Sequence, residues 1–130
     1  MKKISRIIIP EGMNPPQMHE LITASVFTNN GMDVEFIRPS ILKGSRSADV
    51  IINNIAWEIK SPTGAGKNTI QEQLKRALKQ SNYIILDSAR TKLTDQFIVK
   101  ELRRNLLLAK SIKRLLLVNK KREIIEIRRY

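Results

Sequence analysis

The chain is predicted to fold as an α/β layered domain, and three observations predict it. Apolar residues recur at helical spacing in three separate stretches. Short alternating or apolar runs of strand length lie before, between and after them. One of these runs, Tyr83-Ile84-Ile85-Leu86-Asp87, is apolar without alternation, as expected for a strand covered on both faces in a parallel part of a sheet. Strands interleaved with helices in this way bury their apolar faces as stacked layers.

The elements follow in order. Residues 2–10, KKISRIIIP, read as a short strand or as an arm from a longer parent chain, and 11–16 as a loop. Asn14, followed by Pro15 and Pro16, is a helix start signal, with a cap and then proline in the first turn. The helix is expected to run to about Asn29 and to stop at Asn30-Gly31. Its inward stripe would be Met18, Leu21, Ile22, Ser25 and Val26, with Glu20 beside it. Asp33 to Arg38 alternates as a strand, and 40–47 is a basic linker. Asp49–Asn53 and Ile55–Lys60 are strands joined at Asn53-Asn54, residues that tolerate the positive φ of a two-residue hairpin. After the loop 61–68, Ile70, Leu74, Ala77, Leu78 and Ser81 mark a second helix. Thr94 or Asp95 can cap a third, with Ile98, Leu102, Asn105, Leu106 and Ala109 inward. Lys113–Val118 and Arg122–Arg128 close the chain as a hairpin about Asn119-Lys120. The order is β-α-β-β-β-α-β-α-β-β, and 1–130 reads as a single domain without repeats.

Composition narrows the chemistry. Lys and Arg number 24 against 12 acids, a formal charge of +12, so the chain seeks a polyanion, of which nucleic acid is the usual case. From Lys100 onward eleven cations stand against three acids. Lys100, Arg103, Arg104, Lys110, Lys113 and Arg114 could line up along phosphates, or could be a solvated helix face. The chain has no Cys and one His, which excludes thiolate and multi-histidine metal sites. Oxygen-ligated metal chemistry remains, the province of Mg²⁺ or Mn²⁺. Aromatic residues are few, so base stacking on an aromatic platform is not expected. Trp57 falls on an apolar face and reads as core. No signal peptide is read at the N-terminus, and no apolar run approaches a membrane span.

The stretch Ala48 to Thr63, ADVIINNIAWEIKSPT, concentrates the functional signal. A two-residue turn at Asn53-Asn54 sets Val50 opposite Trp57 and Asp49 opposite Glu58. Asp49, Ile51, Ala56, Glu58 and Lys60 then share one face, and Val50, Ile52, Ile55, Trp57 and Ile59 the other. Two carboxylates placed directly opposite repel each other, and a divalent cation would relieve that. Asp49 and Glu58 would be ligands, with the backbone carbonyl of Ile59 as a further one. Glu20 would approach from the first helix, as a ligand or as an orienter of ligands. Lys60 would orient or deprotonate a water, or steady the charge that develops on a phosphodiester. The plain alternative is a solvent-facing ion-pair set.

Further candidates surround this pattern. Ser61 and Thr63 could bond a phosphate or the attacking water, or could cap a turn. Gln73 and Gln80 lie seven apart on one helix face and could reach into the cleft to meet substrate, or could be solvated. Gly64-Ala65-Gly66-Lys67 approaches a phosphate-binding loop but lacks Gly at 61 and Ser or Thr at 68, so no nucleotide cofactor is expected. Lys67 could still meet a nucleic-acid backbone, as could Arg103 and Arg104. His19 beside Glu20 reads as incidental.

An acidic residue, a hairpin and then E-x-K, here Asp49 and Glu58-Ile59-Lys60, resembles the PD-(D/E)xK nuclease superfamily. The resemblance implies an αβββαβ core from Asn14 to Asp87, a mixed central sheet flanked by helices, to which a C-terminal helix and β-hairpin are added. Ala48 stands where the motif has Pro, and Glu20 matches the acidic residue often found on the first helix. The segments HELITA, GMDVEF, ADVII, WEIKSP and the stretch to Asp87 resemble the tRNA nuclease domain at the C-terminus of CdiA toxins of contact-dependent growth inhibition. That likeness, from about 14 to 127, implies a Mg²⁺- or Mn²⁺-dependent tRNA endoribonuclease. It further implies a bacterial toxin module carried by a larger secreted protein, acting in the target-cell cytoplasm and neutralised by an acidic immunity protein. The residues alone leave two alternatives open. One is a restriction-like or junction-resolving DNase of the same fold; the other is a basic nucleic-acid-binding module without catalysis.

Overall fold

The computed structural model describes residues 4–39 and 46–129. Among these residues ten elements appear in the expected order. They are β1 (Ile7–Ile8), α1 (Met18–Asn29), β2 (Val34–Phe36), β3 (Val50–Ile52), β4 (Ile55–Lys60), α2 (Thr69–Ala77), β5 (Tyr83–Asp87), α3 (Asp95–Leu108), β6 (Arg114–Val118) and β7 (Ile124–Ile127). The strands form one seven-stranded sheet in sequential order. β1 pairs parallel with β2, β2 to β4 are antiparallel neighbours, β4 to β6 are parallel, and β7 returns antiparallel. The fold is therefore mixed α/β, and the segment α1 to β5 runs helix, three strands, helix, strand.

Side-chain alternation along the strands splits the core in two. On one face Val50, Ile52, Trp57, Ile59, Ile85, Leu116 and Val118 pack against Ala24, Val26 and Phe27 of α1. On the other, Ile84, Leu86, Leu115 and Leu117 meet Ile70, Leu74 and Ala77 of α2 and Ile98, Leu102 and Leu106 of α3. β5 and β6 are thus covered on both sides, which is why Tyr83–Asp87 does not alternate.

The β3–β4 hairpin has the expected register: Val50 pairs with Trp57, Ile51 with Ala56 and Ile52 with Ile55. Asn53 and Asn54 both adopt positive φ, 52° and 65°, the conformation whose twist matches that of the flanking strands. Trp57 is core as expected, packed edge-on against Tyr83 at 5.6 Å with the Arg114 guanidinium 5.2 Å from its ring centre.

Helix α1 departs from expectation at two points. It starts after Gln17 rather than at Asn14, because Glu20 Oε1 accepts the Gln17 N–H at 3.0 Å and satisfies an otherwise unpaired donor there. Its inward face is Thr23, Ala24, Val26 and Phe27, while Met18 and Ile22 are exposed. The rotation follows from a polar contact. Thr23 is fully buried because its hydroxyl donates to Asp87 Oδ2 at 2.6 Å. Asp87 also takes both Arg122 nitrogens at 2.8 Å, so this ionic cluster pins the β6–β7 turn to β5 and α1. In α3, Thr94 accepts the Phe97 N–H at 3.2 Å as the expected cap, and Glu101 joins the buried stripe while Ala109 follows the last turn. The β6–β7 connection is longer than a turn at Asn119-Lys120 and closes at Arg122, whose N–H donates to the Asn119 carbonyl at 2.9 Å. Most of the basic linker, 40–45, lies outside the described residues.

Candidate active site

The carboxylate pair sits where the β3–β4 ladder runs out. β3 begins at Val50, so the Ile59 N–H has no backbone partner on that side. Asp49 Oδ2 accepts it at 2.7 Å, and the Asp49 N–H donates to the Trp57 carbonyl at 2.9 Å. The strand end thereby fixes the Asp49 carboxylate against β4. The N–H and C=O of one strand residue point to the same side, so the Ile59 carbonyl faces that edge as well.

Glu58 is buried, and its Oε2 lies 3.3 Å from Lys60 Nζ. Its Oε1 is buried with no hydrogen-bond partner, although the Asp49 carboxyl is within reach of the Glu58 side chain. Two ionised carboxylates are acceptors only and cannot satisfy each other. Burial, with the Asp49 charge adding to it, pushes the Glu58 carboxyl up to about 8, against the pull of the Lys60 ammonium. Asp49 is raised too, by burial first and with a contribution from the Glu20 charge, despite the hydrogen bond from Ile59. Near neutral pH the pair holds a proton that a cation could replace.

The pair opens into a cleft of about 530 Å³ whose walls include Glu20, Asp49, Glu58, Lys60 and Gln80 among the expected residues. Arg76 and Lys79 of the α2 region line it too, although sequence reasoning did not single them out. Arg76 lies four residues before Gln80 and three after Gln73, so the helical spacing that pointed to those glutamines could have found it. Gln80 is partly committed, since its Oε1 accepts the Ser47 N–H at 2.8 Å. Among the described residues no group of three or more His, Cys, Asp and Glu side chains could hold a metal ion, so any ion here would rest on two carboxylates and backbone oxygen.

The other expected substrate contacts are not brought to this cleft. Ser61, Thr63, Lys67, Gln73, Arg103 and Arg104 are absent from its walls. The Ser61 carbonyl accepts from Arg90 Nη2 at 2.8 Å, and Arg90 Nη1 stands 3.2 Å from His19 Nδ1, so His19 belongs to a clamp between α1 and the loop after β4. Arg104 is tied to Glu101 at 2.8 Å, and Arg114 to Glu126 at 2.8 Å. The proposed stripe through α3 is therefore partly neutralised by its own neighbours. Gly66 donates its N–H to Thr69 Oγ1 at 3.0 Å.

A family model described as the contact-dependent growth inhibition CdiA C-terminal domain matches residues 46–124. That span contains Asp49, Glu58, Lys60, Arg76, Lys79 and Gln80, and leaves out Glu20. The fold is similar to a solved chain from the CdiA-CT/CdiI toxin and immunity complex of Burkholderia pseudomallei, with a TM-score of 0.72. The two chains are 18% identical over 95% of this chain and 99% of that one, a likeness of fold. No curated protein matched the chain.

Proposed function

This chain belongs to the contact-dependent growth inhibition CdiA C-terminal domain family, and on that premise we propose that it is a toxin module that cleaves tRNA with a divalent cation, through a PD-(D/E)xK-type site at Asp49, Glu58 and Lys60. The whole chain acts as one such unit, carried by a larger secreted protein and active in the target-cell cytoplasm. The observation that carries the chemistry is Glu58 Oε1, buried without a donor beside the Asp49 carboxyl in a cleft walled by Lys60, Arg76 and Lys79. An orphaned carboxylate oxygen in such a place calls for a cation.

The donor set fits Mg²⁺ or Mn²⁺, which are commonly held by one or two carboxylates with water filling the remaining positions. Asp49, Glu58 and the Ile59 carbonyl would hold the ion. Once bound, it supplies Lewis acidity at a phosphodiester oxygen and an activated water. Lys60, anchored on Glu58, hydrogen-bonds that water or the phosphoryl oxygen and stabilises the charge that develops there. Glu20 spends one oxygen on the Gln17 N–H and shares the cleft wall with Asp49 and Glu58, from where it would complete the ligand set from outside the pair. Arg76 and Lys79 attract the flanking phosphates. Support for tRNA over DNA comes from the family likeness.

Incubation of the protein with bulk tRNA and Mg²⁺ should give discrete fragments. EDTA should stop the reaction, and Lys60→Ala should slow it by about a hundredfold or more. Plasmid cleavage with tRNA left intact would sink the RNA assignment. A 2′,3′-cyclic phosphate product would contradict attack by water.

The partner is an acidic immunity protein, read from the +12 charge and from the assembly in which the similar fold was solved. A one-to-one mixture with the acidic protein encoded beside this chain should abolish tRNA cleavage, and the inhibition should weaken as salt is raised. Full activity in that mixture at low salt would remove the immunity assignment.

A further inference from the structure

The cationic cleft continues past Gln80. A second groove, of about 630 Å³, shares Ser47, Ala48 and Gln80 with it and extends to Asn82 and Tyr83 at the start of β5. Arg46 is fixed on this groove, its guanidinium donating to Asn82 Oδ1 at 2.8 Å. The next strand carries the line onward. The Lys113 N–H donates to the Asn82 carbonyl at 2.7 Å, and Arg114 is the register partner of Tyr83. Those two residues open a third hollow of about 160 Å³, where Lys113, Arg114, Arg128 and Arg129 surround the single carboxylate of Glu126. The first concavity lies at the C-terminal half of β4, where Glu58 and Lys60 stand, and the second and third succeed it across the N-terminal ends of β4, β5 and β6.

The cations of the third hollow outnumber its carboxylate, and two of them are held in place. Glu126 is occupied by Arg114 through Nε at 2.9 Å and Nη2 at 2.8 Å, which leaves Nη1 of that guanidinium off the pair. Arg129 Nη2 donates to the Ile112 carbonyl at 2.7 Å, an anchor that neutralises no charge. Lys113 and Arg128 are exposed. The α3 cations differ. Lys100 and Arg103 border a groove with Val99, Leu117, Ile125 and Asp95 that shares no residue with the other three concavities.

We infer that this edge is a substrate track: a polynucleotide whose scissile phosphate lies at Asp49 and Glu58 runs past Arg46 and Asn82 and sets a further phosphate on Lys113, Arg114, Arg128 and Arg129. The inference rests on the nuclease reading and adds to it the direction in which substrate leaves the cleft. With strands about 4.8 Å apart, β6 lies roughly 10 Å from β4. Glu58 is in the row of Leu115 and Arg114 in the next one, over Trp57, so the two phosphate positions are further apart than this and are separated by at least about three nucleotides of one strand. Guanidinium groups held by neutral or already paired neighbours suit phosphate oxygens, and such contacts position a strand without reading its bases.

The test measures binding of bulk tRNA to the Glu58→Gln chain, which prevents cleavage, over a series of salt concentrations. Adding Lys113→Glu and Arg128→Glu should lower the slope of log Kd against log salt by about 1 to 2. Adding Lys92→Glu and Lys121→Glu, the same change in net charge on exposed residues elsewhere, should leave the slope unchanged. Lys113→Gln with Arg128→Gln should shift it in the same direction as the reversal, and replaces that variant if the reversal lowers the melting temperature. Equal effects from the two positions, or none from Lys113 and Arg128, would overturn the track. Retained tRNA binding with loss of the acidic immunity protein would make this edge a protein interface and overturn it as well. Failure of the Glu58→Gln chain to bind tRNA at all would bring down the nuclease reading together with the track.

Discussion

Glu58→Gln is expected to abolish tRNA cleavage while making the metal-free protein more stable. The loss of rate, at least about a hundredfold, follows from removing a carboxylate that would hold the cation and anchor Lys60. The gain in stability follows from linkage. The folded Glu58 carboxyl has its pKa raised from 4.5 to about 8, so between those values the folded chain binds more protons than the unfolded one. Stability from this group is fully present below 4.5 and is lost as pH rises through about 8. Glutamine carries no charge to desolvate and escapes that loss, which amounts to a few kcal/mol at alkaline pH. Thermal melts in EDTA at acidic, neutral and alkaline pH would show the native chain falling and the variant nearly level. Mg²⁺ should then raise the melting temperature of the native chain and leave that of the variant unchanged. A variant less stable than the native chain at alkaline pH would mean that the carboxylate pair is not strained.

The second large effect concerns stability alone. Arg122→Met should destabilise the fold by about 3–5 kcal/mol, because it leaves the buried Asp87 carboxylate without its cation. Asp87 accepts both Arg122 nitrogens at 2.8 Å, the Thr23 hydroxyl at 2.6 Å and the Ala89 N–H at 2.9 Å. Arg122 itself sits at φ 62°, so methionine there inherits the same backbone conformation and adds no new strain of its own. Chemical denaturation at neutral pH measures the loss. Pairing the change with Asp87→Asn should recover part of it, since no buried charge then remains. Burial by itself would raise the Asp87 carboxyl, but the hydrogen bonds from Arg122, Thr23 and the Ala89 N–H together with the Arg122 charge hold it below its usual 3.8. Its contribution is therefore present above that value and is lost as pH falls through the folded pKa, a loss that Arg122→Met should blunt. The folded fraction of Arg122→Met should cleave at the native rate, because Asp87 and Arg122 do not line the carboxylate cleft. A change below about 1 kcal/mol would show that solvent already compensates Asp87.

The two carboxyl groups pull stability in opposite directions, and each was legible in the chain to a different degree. Asp49 and Glu58 could be placed together because a two-residue turn and a period of two decide everything between them. Asn53 and Asn54 supply the positive φ locally, and the observed register follows. Asp87 could be read only as the end of an apolar strand. Its partners, Thr23 and Arg122, lie 64 and 35 residues away, and nothing local announces either. The same distant contact turned α1 away from its expected Met18–Ile22 face, since burying Thr23 on Asp87 outweighed the apolar count.

The amino-acid sequence by itself determined the order of elements and the β3–β4 register as far as Val50, consequences of short-range backbone geometry that bring Asp49 and Glu58 close together at the end of the ladder. Only the tertiary structure decided which cations share their cleft. Helical spacing groups Arg76 with Gln80, and groups Arg104 with Glu101, but it cannot say which helix faces the site. That choice comes from packing. The apolar stripe of α2 seats against β5 and α3 and carries Arg76 and Lys79 to the cleft wall, whereas Arg104 closes on its own neighbour. The site was therefore visible as a local pattern, and its substrate-facing wall emerged only when elements far apart in the chain were packed together.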